Sequence, residues 1–347
     1  MTNYYLAFFI PLILAYLFTP VAKIIAKKIG AIDVPKDDRR VHKVPIPRLG
    51  GLAIYIASMI AMVMFLPFDK ATAAIMIGGT IIVITGIIDD VKPMPAKLKL
   101  VLQILAAFVL IMGDVKIEFI TNPFDKGDGL LYLKGFSVPI TIFWVVGITN
   151  TLNLIDGLDG LSAGVAAIAA VSLFFVASGF GYVQVMIMAA IVAGSAFGFL
   201  PHNFNPAKIF MGDTGALFLG FMLSAIAIEG VMKSFATIAI VVPVLVLGLP
   251  IFDTTFAICR RLINKRPIME ADKGHVHHRL LAKGLSQKQT VMVLYMVSAA
   301  LGTVAVLLAD VRSDHGVIIL GVVFSLVILG AARLGVIDIK RKQRSKR

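Results

Sequence analysis

The chain reads as an all-α integral membrane protein. It is expected to have about eleven transmembrane helices, N-out and C-in, with its chemistry on cytoplasmic active-site loops. Three observations predict this class. Hydrophobic residues make up 59% of the 347 and charged residues only 15%, whereas a soluble domain is about half apolar and about a quarter charged. Apolar stretches close to the ~20 residues that cross a bilayer recur along the whole chain, and mean hydropathy is +0.92. The basic excess, 33 Lys+Arg against 20 Asp+Glu, falls mostly in alternate connections. This composition excludes disordered, collagen-like and small disulfide-stapled chains. Cys259 is the single cysteine and has no disulfide partner.

The expected spans are 4–22, 49–66, 71–88, 98–113, 138–154, 161–179, 181–200, 214–230, 235–252, 290–309 and 316–334. The Met1–Ala22 stretch lacks the basic start and the small-residue cleavage site of a signal peptide. It is therefore read as a retained first helix. With the amino terminus outside, the inner connections are 23–48, 89–99, 150–160, 201–213, 253–289 and the tail. Together they hold 27 of the 33 basic residues, which is the bias of the positive-inside rule. Residues 1–339 form one polytopic domain in this reading, and Lys340–Arg347 a basic, disordered tail drawn to anionic membrane lipid. Among the outer connections, alternation around Val115–Ile120 and Leu130–Phe136 predicts a small hairpin without chemistry. Pro243, Gly248 and Pro250 predict a bend in the ninth span. Asp253, near the inner end of that span, reads as a cap or a partner for Arg260.

The unusual polar residues cluster on the basic face. Asp89 and Asp90 close the third span, with Lys92, Lys97 and Lys99 just beyond. A carboxylate at a helix C-terminus opposes the macrodipole, so paired acids there point to a cation or to proton transfer. In TNTLNLIDGLDGLSAG, Asn150, Asn153, Asp156 and Asp159 recur every three residues along one helix side, and Gly157 and Gly160 permit close approach of a ligand. Four such groups at the end of an apolar span are costly unless they are used. Asp213 opens the eighth span in FMGDTG, where an N-cap alone explains an Asp; Asn203 and Asn205 upstream favour a binding turn. In GHVHHR, His275, His277, His278 and Arg279 sit in the long basic loop. The absence of nearby cysteine and of H-E-x-x-H spacing argues against zinc, and a His/Arg cluster suits phosphate.

The inventory is carboxylates and amides beside Lys, Arg and His. Oxygen ligands favour Mg²⁺, with Mn²⁺ as a substitute, held by a few carboxylates and substrate phosphates. The surplus of cations implies polyanionic substrates, nucleotide diphosphates and lipid phosphates first. No Walker A loop is present, and Gly50-Gly51 is no dinucleotide fingerprint. A transporter would place ionisable residues at mid-span; here they stand at span ends on one face.

DDVK, NLIDGLDGL, FMGDTG and HVHHR, in this order on alternate inner loops, resemble the motifs of the polyprenyl-phosphate N-acetylhexosamine-1-phosphate transferases. The resemblance runs from about Val41 to Leu281. It implies a bacterial cytoplasmic-membrane enzyme that moves a sugar-1-phosphate from a UDP-sugar to undecaprenyl phosphate, releasing UMP. The branch making the muramoyl-pentapeptide lipid carries three consecutive histidines. Val276 interrupts the run here, which, with VHKVPIPRLGG at 41–51, resembles the GlcNAc-1-phosphate branch that starts teichoic acid, O-antigen or other envelope glycans. The muramoyl-pentapeptide transferase is the alternative within the family.

By that resemblance, Asp213 corresponds to the Mg²⁺ ligand that bridges to the pyrophosphate, and Asp89 and Asp90 to the acidic pair containing the base. Asn150, Asn153, Asp156 and Asp159 correspond to a motif lining the nucleotide and metal pocket, and Asn203 and Phe210 to positions near the uridine. Lys99 corresponds to a pocket lysine, and His275, His277, His278 and Arg279 to a loop closing over the sugar phosphate. Asp89, Asp90, Asp156, Asp159, Lys99 and His278 are the expected catalytic set. UDP-GlcNAc, undecaprenyl phosphate and membrane lipid are the expected partners, with no nucleic acid and with a homodimer as the assembly. Direct in-line attack by the lipid phosphate is the expected route, and an aspartyl-phosphosugar intermediate its rival.

Overall fold

The computed structural model describes residues 4–34, 44–121, 130–232, 241–265, 274–310, 321–322, 325–330 and 333. The architecture is a helical bundle. Its long elements are α1 (Tyr4–Ile29), α2 (Gly51–Phe65), α3 (Lys70–Val91), α4 (Ala96–Met112), α5 (Ser137–Ile155), α6 (Leu161–Phe180), α7 (Val183–Asn203), α8 (Gly212–Ala227), α10 (Gly248–Ile263) and α12 (Gln287–Asp310). Shorter pieces are α9 (Val241–Val246) and α11 (Val276–Ala282). Among the described residues, seven helices are long and apolar enough to cross a membrane, and α2, at 15 residues, is a shorter apolar helix. An all-α integral membrane protein is the result. Of the expected eleventh span, 321–322, 325–330 and 333 are described and are helical, and the basic tail lies outside the described residues.

α8 is the hub, packed against α2, α3, α5 and α6. Every residue from Gly212 to Ala227 is buried except Asp213. A helix apolar on all sides belongs in the interior, so its one incompletely buried residue marks where the interior opens. α1 lies along α7 and α2, and α6 packs against α7 and α12. Buried hydroxyls join distant helices: Ser58 on α2 donates to Ser195 on α7 at 3.0 Å. In hydrocarbon such groups need an internal partner.

The ninth span is interrupted, as its proline and glycine content predicts. α9 ends at Val246 and α10 starts at Gly248. Away from the acidic clusters, β3 (Phe119–Thr121) pairs antiparallel with β4 (Leu130–Tyr132), in the expected hairpin. β1 (Ile32–Asp33) pairs antiparallel with β2 (Ile46–Pro47). The chain after β2 is tied to the approach to α8: Phe210 N donates to Pro47 O at 2.8 Å, and Gly50 N to Phe210 O at 2.9 Å. That seam brings residue 48 to the start of the hub helix.

One local expectation needs correction. The three-residue recurrence from Asn150 to Asp159 predicts one helix side, but α5 ends at Ile155 and Asp156 is its C-cap. Gly160 then takes a left-handed backbone (φ 79°) and turns the chain into α6. Asn150 and Asn153 share a helix; Asp156 and Asp159 project from the turn that follows.

Candidate active site

The C-terminus of α3 meets the N-termini of α4 and α8 at one end of the bundle. Asp90, whose side chain is fully buried, is the keystone of that junction. Its Oδ1 accepts from Arg48 Nε and from Asp213 N, each at 3.0 Å, and lies 2.8 Å from Arg48 Nη2. Its Oδ2 accepts from Thr214 N at 3.0 Å and from Thr214 Oγ1 at 2.7 Å. Asp90 thus caps α8 from another helix, and the positive end of α8 offsets the unfavourable placement at the end of α3. Gly212 makes this possible. It has φ 72°, and a Cβ there would lie 2.4 Å from Asp90 Oδ2. Asp213 itself stands in the first turn rather than at the cap, which leaves its carboxylate for other partners.

Those partners are cations and an amide. Lys99 Nζ donates to Asp213 Oδ2 at 2.6 Å and to Asp89 Oδ2 at 3.0 Å. Arg48 Nη2 lies 3.6 Å from Asp213 Oδ1, and the Asn153 side chain stands beside Asp213. The side chains of Asp89 and Asp213 keep 11% and 17% of their surface exposed, against 0% for Asp90. Asp89 Oδ1 accepts from Met94 N at 2.8 Å. Burial opposes the charge of Arg48, but the carboxylates of Asp90 and Asp213 outweigh it and hold the guanidinium above its ordinary pKa.

Asp156 belongs to the same neighbourhood without a side-chain hydrogen bond to any described residue. Burial, and then the charges of Asp213 and Asp90, push its carboxyl up to about 8. Asp89, Asp90, Asp156 and Asp213 therefore stand against two basic side chains, Arg48 and Lys99. Among the described residues, no three His, Cys, Asp or Glu side chains form a ready metal cage, since Lys99 lies between Asp89 and Asp213. Mg²⁺ typically uses one or two carboxylates and completes its shell with water and substrate phosphate. The oxygen donors and the surplus negative charge fit that ion.

Other residues of the motifs brace the site. Asn150 and Gln103 form a reciprocal amide pair (Asn150 Nδ2 to Gln103 Oε1 2.6 Å, Gln103 Nε2 to Asn150 Oδ1 3.2 Å). Asn203 Oδ1 accepts from Gly160 N, and its Nδ2 donates to Ile209 O, both at 3.0 Å. Asp159 Oδ2 accepts from Asn205 Nδ2 at 2.9 Å and Ala207 N at 3.0 Å. These side chains tie the α5–α6 turn to the 203–211 segment. Phe210 contributes its backbone to the seam with Pro47 and Gly50.

The histidine segment packs on the turn that follows Asp156. His277 is buried (2% exposed), and neither ring nitrogen has a hydrogen-bond partner. Its ring lies on Gly157, where a Cβ would sit 2.5 Å from Nε2. Burial, and then the neighbouring His278, bring its pKa down to about 3, so the ring is neutral at physiological pH. His277 stacks near-parallel on His275 (centroids 5.8 Å apart, 9°) and packs on His278 at 4.2 Å. His278 and Arg279 are half-buried at the edge of the stack. His275 Nδ1 donates to Asp253 Oδ2 at 2.8 Å, and Val276 N to Asp253 Oδ1 at 2.8 Å.

The structure thus gathers Asp89, Asp90, Lys99, Asn153, Asp156 and Asp213 in one place and sets His277 against the adjoining turn. Sequence reasoning missed Arg48 and Gln103, and it read Asp253 as a cap or a partner for Arg260 where the structure pairs it with His275 and Val276. Arg48 carried a signal in its position between Pro47 and the Leu49-Gly50-Gly51 start of an apolar span, and Asp253 in its place within an apolar run. Gln103 gave none.

Residues 72–231 match the model of glycosyl transferase family 4. A probable undecaprenyl-phosphate N-acetylglucosaminyl 1-phosphate transferase of Bacillus subtilis is 39% identical over 98% of this chain and 94% of its own length. The chain belongs to glycosyl transferase family 4. A decaprenyl-phosphate N-acetylglucosaminephosphotransferase of Mycobacterium tuberculosis is 31% identical over 93% of this chain and 86% of its own. An undecaprenyl-phosphate alpha-N-acetylglucosaminyl 1-phosphate transferase of Escherichia coli is 25% identical over 85% and 82%. These matches agree with the family, and with the GlcNAc-1-phosphate branch, that the four motifs resemble. Family 4 membership makes the protein a membrane transferase.

Proposed function

We propose that the protein transfers GlcNAc-1-phosphate from UDP-GlcNAc to undecaprenyl phosphate, giving undecaprenyl-diphospho-GlcNAc and UMP. The observation that carries the reading is the Asp89–Lys99–Asp213 chain beside the Arg48–Asp90 pair, at the helix ends where the histidine segment docks. The names of the relatives supply the sugar and the lipid. The loop-charge bias supports eleven spans with this end of the bundle at the cytoplasmic face of a bacterial plasma membrane. The product is the first lipid-linked intermediate of an envelope glycan such as teichoic acid or O-antigen. A homodimer is the proposed assembly.

Phosphoryl transfer is mainly positioning and neutralisation of charge. An oxygen of the lipid phosphate attacks the β-phosphorus of UDP-GlcNAc. The bond from that phosphorus to the oxygen bridging to the α-phosphorus breaks, and UMP leaves with the bridging oxygen. Asp213, with Asp156 and the Asn153 amide beside it, would hold Mg²⁺, which when bound supplies positive charge to the pyrophosphate. Lys99 and Arg279 neutralise phosphate oxygens as negative charge shifts to the leaving group, and His278 donates a hydrogen bond to them. Asp90 has its oxygens filled by Arg48, Asp213 N and Thr214. Asp89 is the member of the acidic pair left to receive a proton. The purified protein in nanodiscs, given a panel of UDP-sugars with undecaprenyl phosphate, should release UMP from UDP-GlcNAc only, and only with Mg²⁺ or Mn²⁺. Release from UDP-MurNAc-pentapeptide instead would move the protein to the other branch.

A further inference from the structure

α10 is an otherwise apolar start followed by basic residues, yet it buries Asp253 (4% exposed). A buried carboxylate costs several kcal/mol unless it is partnered. Both of its oxygens are taken by one short segment: Oδ2 by the His275 ring and Oδ1 by the Val276 amide. α11 has no capping hydrogen bond from the side chain of its own N-cap residue, His275, so Asp253 supplies one from α10. It also selects the His275 tautomer with the proton on Nδ1. His275 lies near-parallel to His277, and His277 packs on His278. One fixed ring therefore sets the orientation of three.

Resting on the transferase reading above, we propose that Asp253 is a positioning residue. It acts through His275 to hold the histidine stack, with His277 set on the Gly157 turn. Its side chain touches neither substrate nor the floor carboxylates. Its loss should lower the rate of the chemical step more than it weakens donor binding, because the stack is placed for the transition state.

The test compares the full-length protein with Asp253→Asn and Asp253→Ala in nanodiscs. UMP release is measured alongside hydrogen–deuterium exchange of residues 274–286. Asp253→Asn keeps the shape and an acceptor for the Val276 amide, but presents an NH₂ group to His275 Nδ1. Expected for both variants is faster exchange in 274–286 with α3 and α8 unchanged. kcat should fall about 10–100-fold, the usual size for an outer partner that orients a histidine, with donor KM changing much less. The Asp253→Ala/His275→Ala double variant should be no slower than His275→Ala alone. Unchanged exchange in Asp253→Asn, a KM effect without a kcat effect, or two single-variant effects that multiply would each overturn the proposal. A wild-type protein with no turnover on UDP-GlcNAc would instead sink the transferase reading, while the exchange arm still reports whether Asp253 holds the segment.

Discussion

The floor and the roof of the site are built on opposite terms. On the floor, Asp90 accepts from Arg48, Asp213 and Thr214 and is sealed from solvent, and Lys99 joins Asp89 to Asp213. In the roof, a short helix hangs from one carboxylate of α10, and its central His277 is buried with neither nitrogen partnered. A satisfied network is rigid before substrate arrives. An orphaned buried ring nitrogen costs about 1–3 kcal/mol until something reaches it. Under the proposed function the acidic floor would be set before substrate binds, and His277 is the buried group that a ligand would stand to partner.

Breaking the floor should have the largest effect. Asp213→Ala is expected to reduce UMP release by roughly 10³-fold and to abolish the rise in melting temperature that Mg²⁺ is expected to give the wild type. Near-normal Mg²⁺-dependent turnover in this variant would remove Asp213 from the metal site. The acidic pair then divides the floor. Asp89→Asn should cost roughly 10²-fold in rate at unchanged stability. Asp90→Asn should lose both, because it takes from Arg48 the nearer of its two anions and leaves only Asp213 at 3.6 Å. Arg48→Met should show the reverse side of that pair, a loss of about 3 kcal/mol in denaturation of the detergent-solubilised protein. Equal behaviour of Asp89→Asn and Asp90→Asn in the two assays would erase the distinction.

The roof predicts the opposite sign. His277→Phe removes the unpartnered nitrogens while keeping a ring over Gly157. It should hold or raise stability, by up to about 1 kcal/mol, while turnover falls roughly 10-fold. A variant both less stable and fully active would contradict the contrast. The smallest effect is with pH. His277 is near 3 when folded and about 6.5 when unfolded, so the folded state binds fewer protons between those values. Stability is complete above pH 6.5 and declines as pH falls toward 3. From pH 7 to about pH 5.5 the loss from this ring is about 1 kcal/mol, and His277→Phe should flatten that part of a melting-temperature profile.

Much of this was legible in the sequence, and what was hidden has a common cause. Hydropathy places the spans, because a lipid-facing or buried helix must be apolar whatever its neighbours are. Asp89, Asp90, Asp156 and Asp213 stand out because charge beside an apolar run is costly. The sequence alone did not reveal which of them would be saturated. Asp90 meets Arg48 across 42 positions and Thr214 across 124, and only packing sets those distances. Asn150, Asn203 and Asp159 looked like hands for a ligand by type and spacing. In the structure each is hydrogen-bonded within the protein, to Gln103, Gly160 and Asn205 respectively. Asp253 was visible as an anomaly, but its purpose depended on His275, whose position is set by the loop.

The reciprocal amide pair between Gln103 of α4 and Asn150 of α5 reaches beyond the finished site. Turning either helix by one residue would strand two amides among apolar groups, at several kcal/mol for each unsatisfied group. Such a pair would act as a keyway while the two helices assemble in the bilayer. Two greasy cylinders that could otherwise meet in many rotational settings are notched so that one setting closes, and in that setting Asn153, one turn further along α5, already faces Asp213.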